Sequence, residues 1–342
     1  MKYLFAENYR EDGKNAGSKA RKDVEQILDA MGAKRVVLYS PGDSGITVFL
    51  KLLRVFAYSI ANIEQNSFVL IQHPYIPFKY SSLLSTLACI LHRIKGVTTV
   101  LLVHDVLSVR LGKPSVEKEI SCFNRYDYVI CHNSQMEQLL KSNGCTSDIK
   151  KLMVFDYLIE DRNKQNSNCC DINTIAVAGN LTKDKSGYIY ELNRIESLEF
   201  ELYGQGVQGD ILGENVCYKG TFAPEDLPYR ISSGWGLVWD GDYIGTCGGK
   251  NGEYLKYNNP HKLSLYISCG IPVITWTEAA ISNYVIENEI GIVVSDLSEL
   301  PDTIKGVSKE KYSCMRENVL KIRKKIINGE SLKMVLREIG MQ

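Results

Sequence analysis

Short apolar runs alternate with amphipathic stretches from one end of the chain to the other. In the first half the apolar runs fall at 3–6, 36–39, 68–72, 98–103, 128–131 and 152–155. They are short and mostly lack alternation, the pattern of strands buried on both faces. The intervening stretches 17–31, 47–60, 81–93, 116–123 and 134–142 read as helices. This β-α-β-α order predicts a parallel sheet covered by helices on both sides. A polar, Asn-rich segment, EDRNKQNSNCCDIN, then reads as a linker. Beyond it the pattern restarts, with strands at 174–178, 199–203, 217–219, 236–239, 272–275 and 291–294. Helices are predicted over 184–195, 225–232, 261–268, 277–287 and 309–327, and 241–259 reads as a long mobile loop. The expected fold class is α/β, with two tandem Rossmann-like doubly wound domains and a cleft between them. Their expected extents are 1–160 and 171–342, the last helix returning to the first domain. In such sheets ligands sit outside the carboxyl ends of the strands, so chemistry is sought just after strands.

Composition narrows the function classes. The 342 residues carry no net charge, and 44% are hydrophobic, which suits two folded domains and excludes disorder. A neutral chain lacks the basic face that nucleic acid requires. Residues up to Glu160 hold a net +4 and the remainder −4, a mild bias of the first half toward anionic surfaces. Ten scattered cysteines include no C-x-x-C pair, so neither a disulfide framework nor a four-thiolate zinc site is expected. The opening MKYLFAENYR is too poor in apolar residues for a signal-peptide core, and no run approaches the ~18–20 apolar residues of a membrane span. A cytoplasmic protein is expected. The basic amphipathic stretch 51–60 leaves room for weak contact with an anionic membrane surface, or equally for a buried helix with snorkelling side chains.

Four segments carry candidate chemistry. Gly179-Asn180-Leu181-Thr182-Lys183 follows a strand; glycine there lets backbone approach a phosphate, and Lys183 adds a charge. A plain strand-to-helix turn explains the same residues equally well. Asn259-Pro260-His261-Lys262 opens a predicted helix that Gly270 closes. A lysine in a helix's first turn opposes the dipole, and its placement makes sense if an anion binds there. Val103-His104-Asp105 ends a buried strand, where Asp105 can act as a general base with His104 orienting it, or the reverse. Asp105 as a helix cap is the structural alternative. Finally, His73-Pro74-Tyr75 offers a stiff aromatic wall for an acceptor, or simply a rigid loop. Asp240-Gly241-Asp242 is a D-x-D that arises easily by chance in an acidic loop, and no metal is expected.

The run YNNPHKLSLYISCGIPVITWTEAAISNYVIENEIGIVV resembles the donor segment of GT-B glycosyltransferases. Together with NAGSKA, VLLVHDVLSVR, VAGNLTK, YKGTFAPEDLP and GLVWDG, it resembles a family of bacterial UDP-sugar transferases. That family includes the glucosyltransferase of serine-rich adhesins and β-1,6-galactofuranosyltransferases of surface polysaccharides. The resemblance implies a GT-B fold, a UDP-sugar donor, inversion at the anomeric carbon and no obligatory metal or other cofactor. Carried over by motif, Ser18 meets the donor phosphates and Lys262 matches directly. Lys183 replaces an arginine and Phe222 stands near a tyrosine position, two departures. Glu225 and Asp226 either start a helix near the ribose or are ordinary acidic residues of a helix N-terminus. The expected activity is hexosyl transfer, galactofuranose slightly ahead of glucose, from UDP-sugar to a sugar hydroxyl of a glycan or glycolipid. A sugar-nucleotide epimerase and a non-catalytic partner subunit are the competing readings. A homo-oligomer is compatible with all of them.

Overall fold

The computed structural model describes residues 1–6, 16–38, 43, 45–75, 78–160, 171–208 and 213–341. Asn15 of the NAGSKA segment, Tyr39, Ile76, Pro77 and most of the predicted linker lie outside them. Two compact units result. One comprises Arg21–Leu152 with both chain ends, the other Met153–Ser331 with the start of the first helix.

The first unit contains β1 (Lys2–Ala6), α1 (Ala16–Ala30), β2 (Lys34–Val37), α2 (Gly45–Asn62), β3 (Phe68–His73), α3 (Phe78–Lys95), β4 (Thr98–Val103), α4 (Leu107–Leu111), α5 (Val116–Phe123), β5 (Tyr128–Cys131), α6 (Ser134–Ser142) and β6 (Asp148–Lys151). All strands are parallel, in the order β2-β1-β3-β4-β5-β6. Alternate residues of one sheet face, among them Phe5, Ile71, Leu101 and Val129, meet Leu84 and Leu87 of α3 and Phe123 of α5 in a dry core. Asn133 caps α6 by accepting the Met136 N–H at 2.8 Å. The strand expected at 152–155 is not there. Its neighbour Asp148–Lys151 forms the edge strand, where charged side chains are tolerated and help block further pairing.

The second unit contains β7 (Thr174–Asn180), α7 (Lys183–Ser186), β8 (Glu199–Gln205), β9 (Val216–Gly220), α8 (Leu227–Arg230), β10 (Trp235–Val238), α9 (Gly249–Glu253), α10 (His261–Cys269), β11 (Val273–Trp276), α11 (Ser282–Glu287), β12 (Gly291–Val294), α12 (Leu300–Lys305) and α13 (Lys309–Ile326). α14 (Glu330–Glu338) follows, and from Leu332 the chain groups with the first unit. The sheet is again parallel, in the order β12-β11-β10-β7-β8-β9. Strand order therefore reverses between β7 and β10, which opens a crevice at their carboxyl ends. The β7–β10 ladder stops at Ala176 and Gly236, while β7 and β8 stay paired to Asn180 and Gln205.

Two expectations change here. The helix foreseen over 184–195 is a single α-turn followed by a 3₁₀ helix at Gly187–Arg194. The segment foreseen as a mobile loop is packed. Cys247, Tyr254 and Leu255 are buried, Gly241 pairs with Ser186, and Leu297 N–H donates to the Ile244 carbonyl at 2.9 Å.

Candidate functional site

In the second unit the site grows from two glycines and one tyrosine. Gly179, the residue before the last of β7, has φ +131°, and a Cβ on it would stand 3.3 Å from Lys262 Cε. On β8, a Cβ at Gly204 would overlap the Gly179 carbonyl at 1.8 Å, so only glycine allows the strand ends this approach. Tyr266 of α10 lies on the bare surface of Gly236, where a Cβ would come within 2.1 Å of its ring. Its Oη accepts the Ala178 N–H at 2.8 Å, just past the point where β10 stops pairing with β7. Ser264 Oγ donates to the Phe155 carbonyl at 2.8 Å, and the His261 ring lies 4.8 Å from that of Phe155. Gly270, at φ +77°, ends the helix. These anchors bring Lys262, the second residue of α10, beside the turn after β7.

Lys262 is 9% exposed, and its Nζ donates to the Trp239 carbonyl at 2.8 Å and to Asp240 Oδ1 at 2.7 Å. An ammonium has three N–H donors, so a third remains for a ligand. Lys185 Nζ stands 3.7 Å from Asp240 Oδ2. Two ammonium groups thus face the Asp240 carboxylate at the strand-order reversal, the place where doubly wound sheets bind ligands. Asp240 is thus a partner of Lys262, a role its D-x-D context concealed. Among the described residues no group of three or more His, Cys, Asp or Glu side chains could hold a metal ion.

The other expected donor residues divide. Lys183 is exposed, and Lys185, two residues on, is the lysine that reaches Asp240. The helix after the Gly179 turn has four residues, too few to present a developed dipole, whereas α10 has nine. Asn180 Oδ1 accepts the Thr182 N–H at 3.0 Å and shapes the turn. Phe222 is half-buried, its ring 6.3 Å from that of Tyr203 with the Arg230 guanidinium 5.5 Å over its centre. Glu225 is exposed just before α8. Ser18 is buried in the first turn of α1, next to Lys19, whose Nζ donates to the Leu158 carbonyl at 2.7 Å.

In the first unit, three histidines end adjacent strands. His104 follows β4 and its Nε2 meets Gln72 Oε1 at 2.8 Å. In this contact the carboxamide oxygen is the acceptor and the ring nitrogen the donor. Asp105 forms an ion pair with Arg110 of α4, and it does not cap that helix. Glu119 of α5 does: its two oxygens accept the Leu107 and Ser108 N–H groups at 2.8 and 2.7 Å. The same carboxylate meets His73 Nε2 at 2.8 Å. Burial raises the Glu119 pKa, but the His73 bond and charge and the Ser108 bonds outweigh it, and the net shift is downward. His73, 2% exposed, is thereby a buried brace, which fits the rigid-loop alternative rather than the acceptor wall. His132 follows β5, donates to the Val103 carbonyl at 3.0 Å, and is pushed down to about 4 by burial.

Sequence reasoning missed Lys185, Tyr266, Glu119 and His132. A glutamate inside VEKEISCF carries no signal that separates it from a solvated helix face. Tyr266 did carry one, since a tyrosine inside a helix otherwise buried by aliphatics needs a partner for its hydroxyl.

Residues 2–153 match the N-terminal domain and 175–339 the C-terminal domain of the glucosyltransferase 3-like family model. The chain belongs to the glucosyltransferase 3-like family of glycosyltransferases. Within this set of relatives, it is 29% identical to the β-1,6-galactofuranosyltransferase WbbI of Escherichia coli K12 over 330 residues, 95% of this chain and 94% of WbbI. Glucosyltransferase 3 of Streptococcus gordonii is 30% identical over 129 residues, 37% of this chain and 38% of that protein. The fold is similar to that of Anabaena HepE, solved in complex with UDP, at a TM-score of 0.64 and 12% identity over 99% of each chain. It is also similar to that of the sucrose-phosphate synthase of Thermosynechococcus elongatus, at 0.63 and 14%, again over 99% of each. The family member described here is therefore built from two Rossmann-like units, as the alternating pattern predicted.

Proposed function

We propose that this glycosyltransferase moves a hexosyl group from a UDP-sugar to a sugar hydroxyl with inversion, galactofuranosyl ahead of glucosyl, in surface polysaccharide or glycoprotein glycan assembly. The observation that carries the donor assignment is the placement of Lys262 against Gly179, with Lys185 near, at the β7/β10 reversal. Cations held there stabilise the charge that grows on the diphosphate as UDP departs, without a metal. His104 takes the proton as the acceptor oxygen bonds to the anomeric carbon and the carbon–phosphate-oxygen bond breaks. The Gln72 bond holds the His104 ring in place, while the Asp105 carboxylate is engaged by the Arg110 guanidinium. Galactofuranose is favoured because likeness to WbbI runs through nearly the whole chain, whereas likeness to glucosyltransferase 3 covers about a third.

The test is UDP release from UDP-galactofuranose and UDP-glucose, with and without glycan acceptors. Acceptor-dependent release is expected, faster with the furanose donor. Sugar interconversion without acceptor would make the protein an epimerase, and tight UDP binding with neither reaction would make it a partner subunit. In the same assay His104→Ala is expected to lose about 10²–10⁴-fold, and Asp105→Asn far less. The opposite order would return the base to Asp105.

A further inference from the structure

The helix α2 has two apolar faces, and the fold uses one. Val48, Leu52, Val55 and Ser59 are buried along the first. Successive steps of about 100° put Ile46, Phe49, Leu50, Leu53 and Ile60 on the opposite side, within an arc of about 120°. They are exposed at 77, 49, 54, 50 and 40%. Contiguous exposed apolar surface of this kind marks an interaction site.

Composition also amends one expectation, since among the described residues α2 is the helix long and apolar enough to cross a membrane. Its buried stripe, packed into the first unit's core, argues that it lies flat instead. The helix contains no acidic residue, and Arg54 is exposed at the edge of the apolar face. Lys51 sits farther round the same edge, 2.6 Å from Asp43. The end of α3 adds exposed Arg93 and Ile94, and Lys95, whose Nζ donates to the Ile63 carbonyl just past α2. Apolar side chains bordered by cations fit the boundary between acyl chains and anionic headgroups. A second copy of the same face fits less well, because α2 would bring cations and no carboxylate of its own to meet them.

We infer that the outward face of α2 docks the protein on an anionic bilayer, with Ile46, Phe49, Leu50, Leu53 and Ile60 entering the interface and Arg54 meeting headgroups. The inference does not depend on which sugar is transferred.

The test is sedimentation of the full chain with vesicles of phosphatidylcholine alone or with about 30% phosphatidylglycerol. Binding to the anionic vesicles only is expected, weakening as salt rises. Leu50→Glu with Leu53→Glu should abolish it, Arg54→Ala should weaken it about fivefold, and all should keep wild-type transfer to a soluble acceptor. Circular dichroism checks the double variant's fold, and Arg54→Ala decides should it fail. No sedimentation with either vesicle overturns the inference, as does equal binding to both. A solution dimer that ignores vesicles and that Leu50→Glu with Leu53→Glu dissociates would assign the face to a second copy.

Discussion

At the scale of single residues, Lys262 was readable from sequence as an oddity, a lysine at the start of a helix whose dipole it opposes. What sequence could not supply was Asp240, twenty-two positions away and met only once α10 packs on β10. The pair changes what a mutation should do. Lys262→Ala removes the proposed phosphate contact and also leaves a carboxylate that is 6% exposed with only Lys185, at 3.7 Å, as a cationic partner among the described residues. It is therefore expected to lower stability by about 1–3 kcal/mol, besides weakening UDP binding. Lys262→Met with Asp240→Asn should recover much of the stability in urea unfolding and none of the UDP affinity in calorimetry. If affinity returns with stability, Lys262 is structural. His132 offers a second check. Its folded pKa of about 4 lies below the ordinary 6.5, so between those values the unfolded chain binds the proton and the folded one does not. Stability is then complete above about 6.5 and falls by roughly 3 kcal/mol as pH drops toward 4. His132→Gln should flatten the decline between pH 7 and 5 in urea midpoints, before carboxylates such as Glu119 titrate. An unchanged slope would mean that His132 is not the group responsible.

At the scale of elements, the reading worked where burial imposed a pattern and failed where a segment's partner was distant. β4, β5, α5 and α6 have the bounds that their apolar runs foretold, because each is packed on a face with its own period. The apolar run Leu152-Met153-Val154-Phe155 looked more strand-like than Asp-Ile-Lys-Lys before it, yet the latter holds the sheet edge. The former packs as a connector: the Met153 carbonyl takes a bond from Asn259, and that of Phe155 takes one from Ser264. α10 shows both outcomes at once. Its ends were legible from Pro260 and Gly270, while its docking depends on a hydroxyl standing in for a strand. Tyr266→Phe keeps the ring on Gly236 and removes only the acceptor of the Ala178 N–H. A loss of about 1–3 kcal/mol is expected from one buried donor left unmade. UDP affinity should fall with it, since β7 and α10 together set the distance between Gly179 and Lys262. A variant as stable as wild type would show that water or a shifted strand replaces the hydroxyl.

At the scale of the whole molecule, the alternation of strands and helices was enough to predict two doubly wound units, because a parallel sheet needs a covering crossover at every step. The order of strands was not legible. That β7 neighbours β10 rather than β9 follows from packing between segments about sixty residues apart, and this adjacency brings Asp240 to the proposed donor site. It also bears on the metal question. In a D-x-D site both carboxylates serve a cation and the diphosphate, but here Asp240 is already held by Lys262, with Lys185 behind it. On the proposed reading, those ammonium groups would supply the positive charge that a metal brings elsewhere. Transfer is therefore expected to continue in excess EDTA at its untreated rate. Asp240→Asn should then reduce turnover through a misplaced Lys262, and added Mn²⁺ or Mg²⁺ should change neither enzyme. Should EDTA abolish transfer and Mn²⁺ restore it in the wild type but not in Asp240→Asn, Asp240 is a metal ligand during turnover. In that case its bond to Lys262 would describe only the resting protein, and the lysines would act beside a metal instead of in place of one.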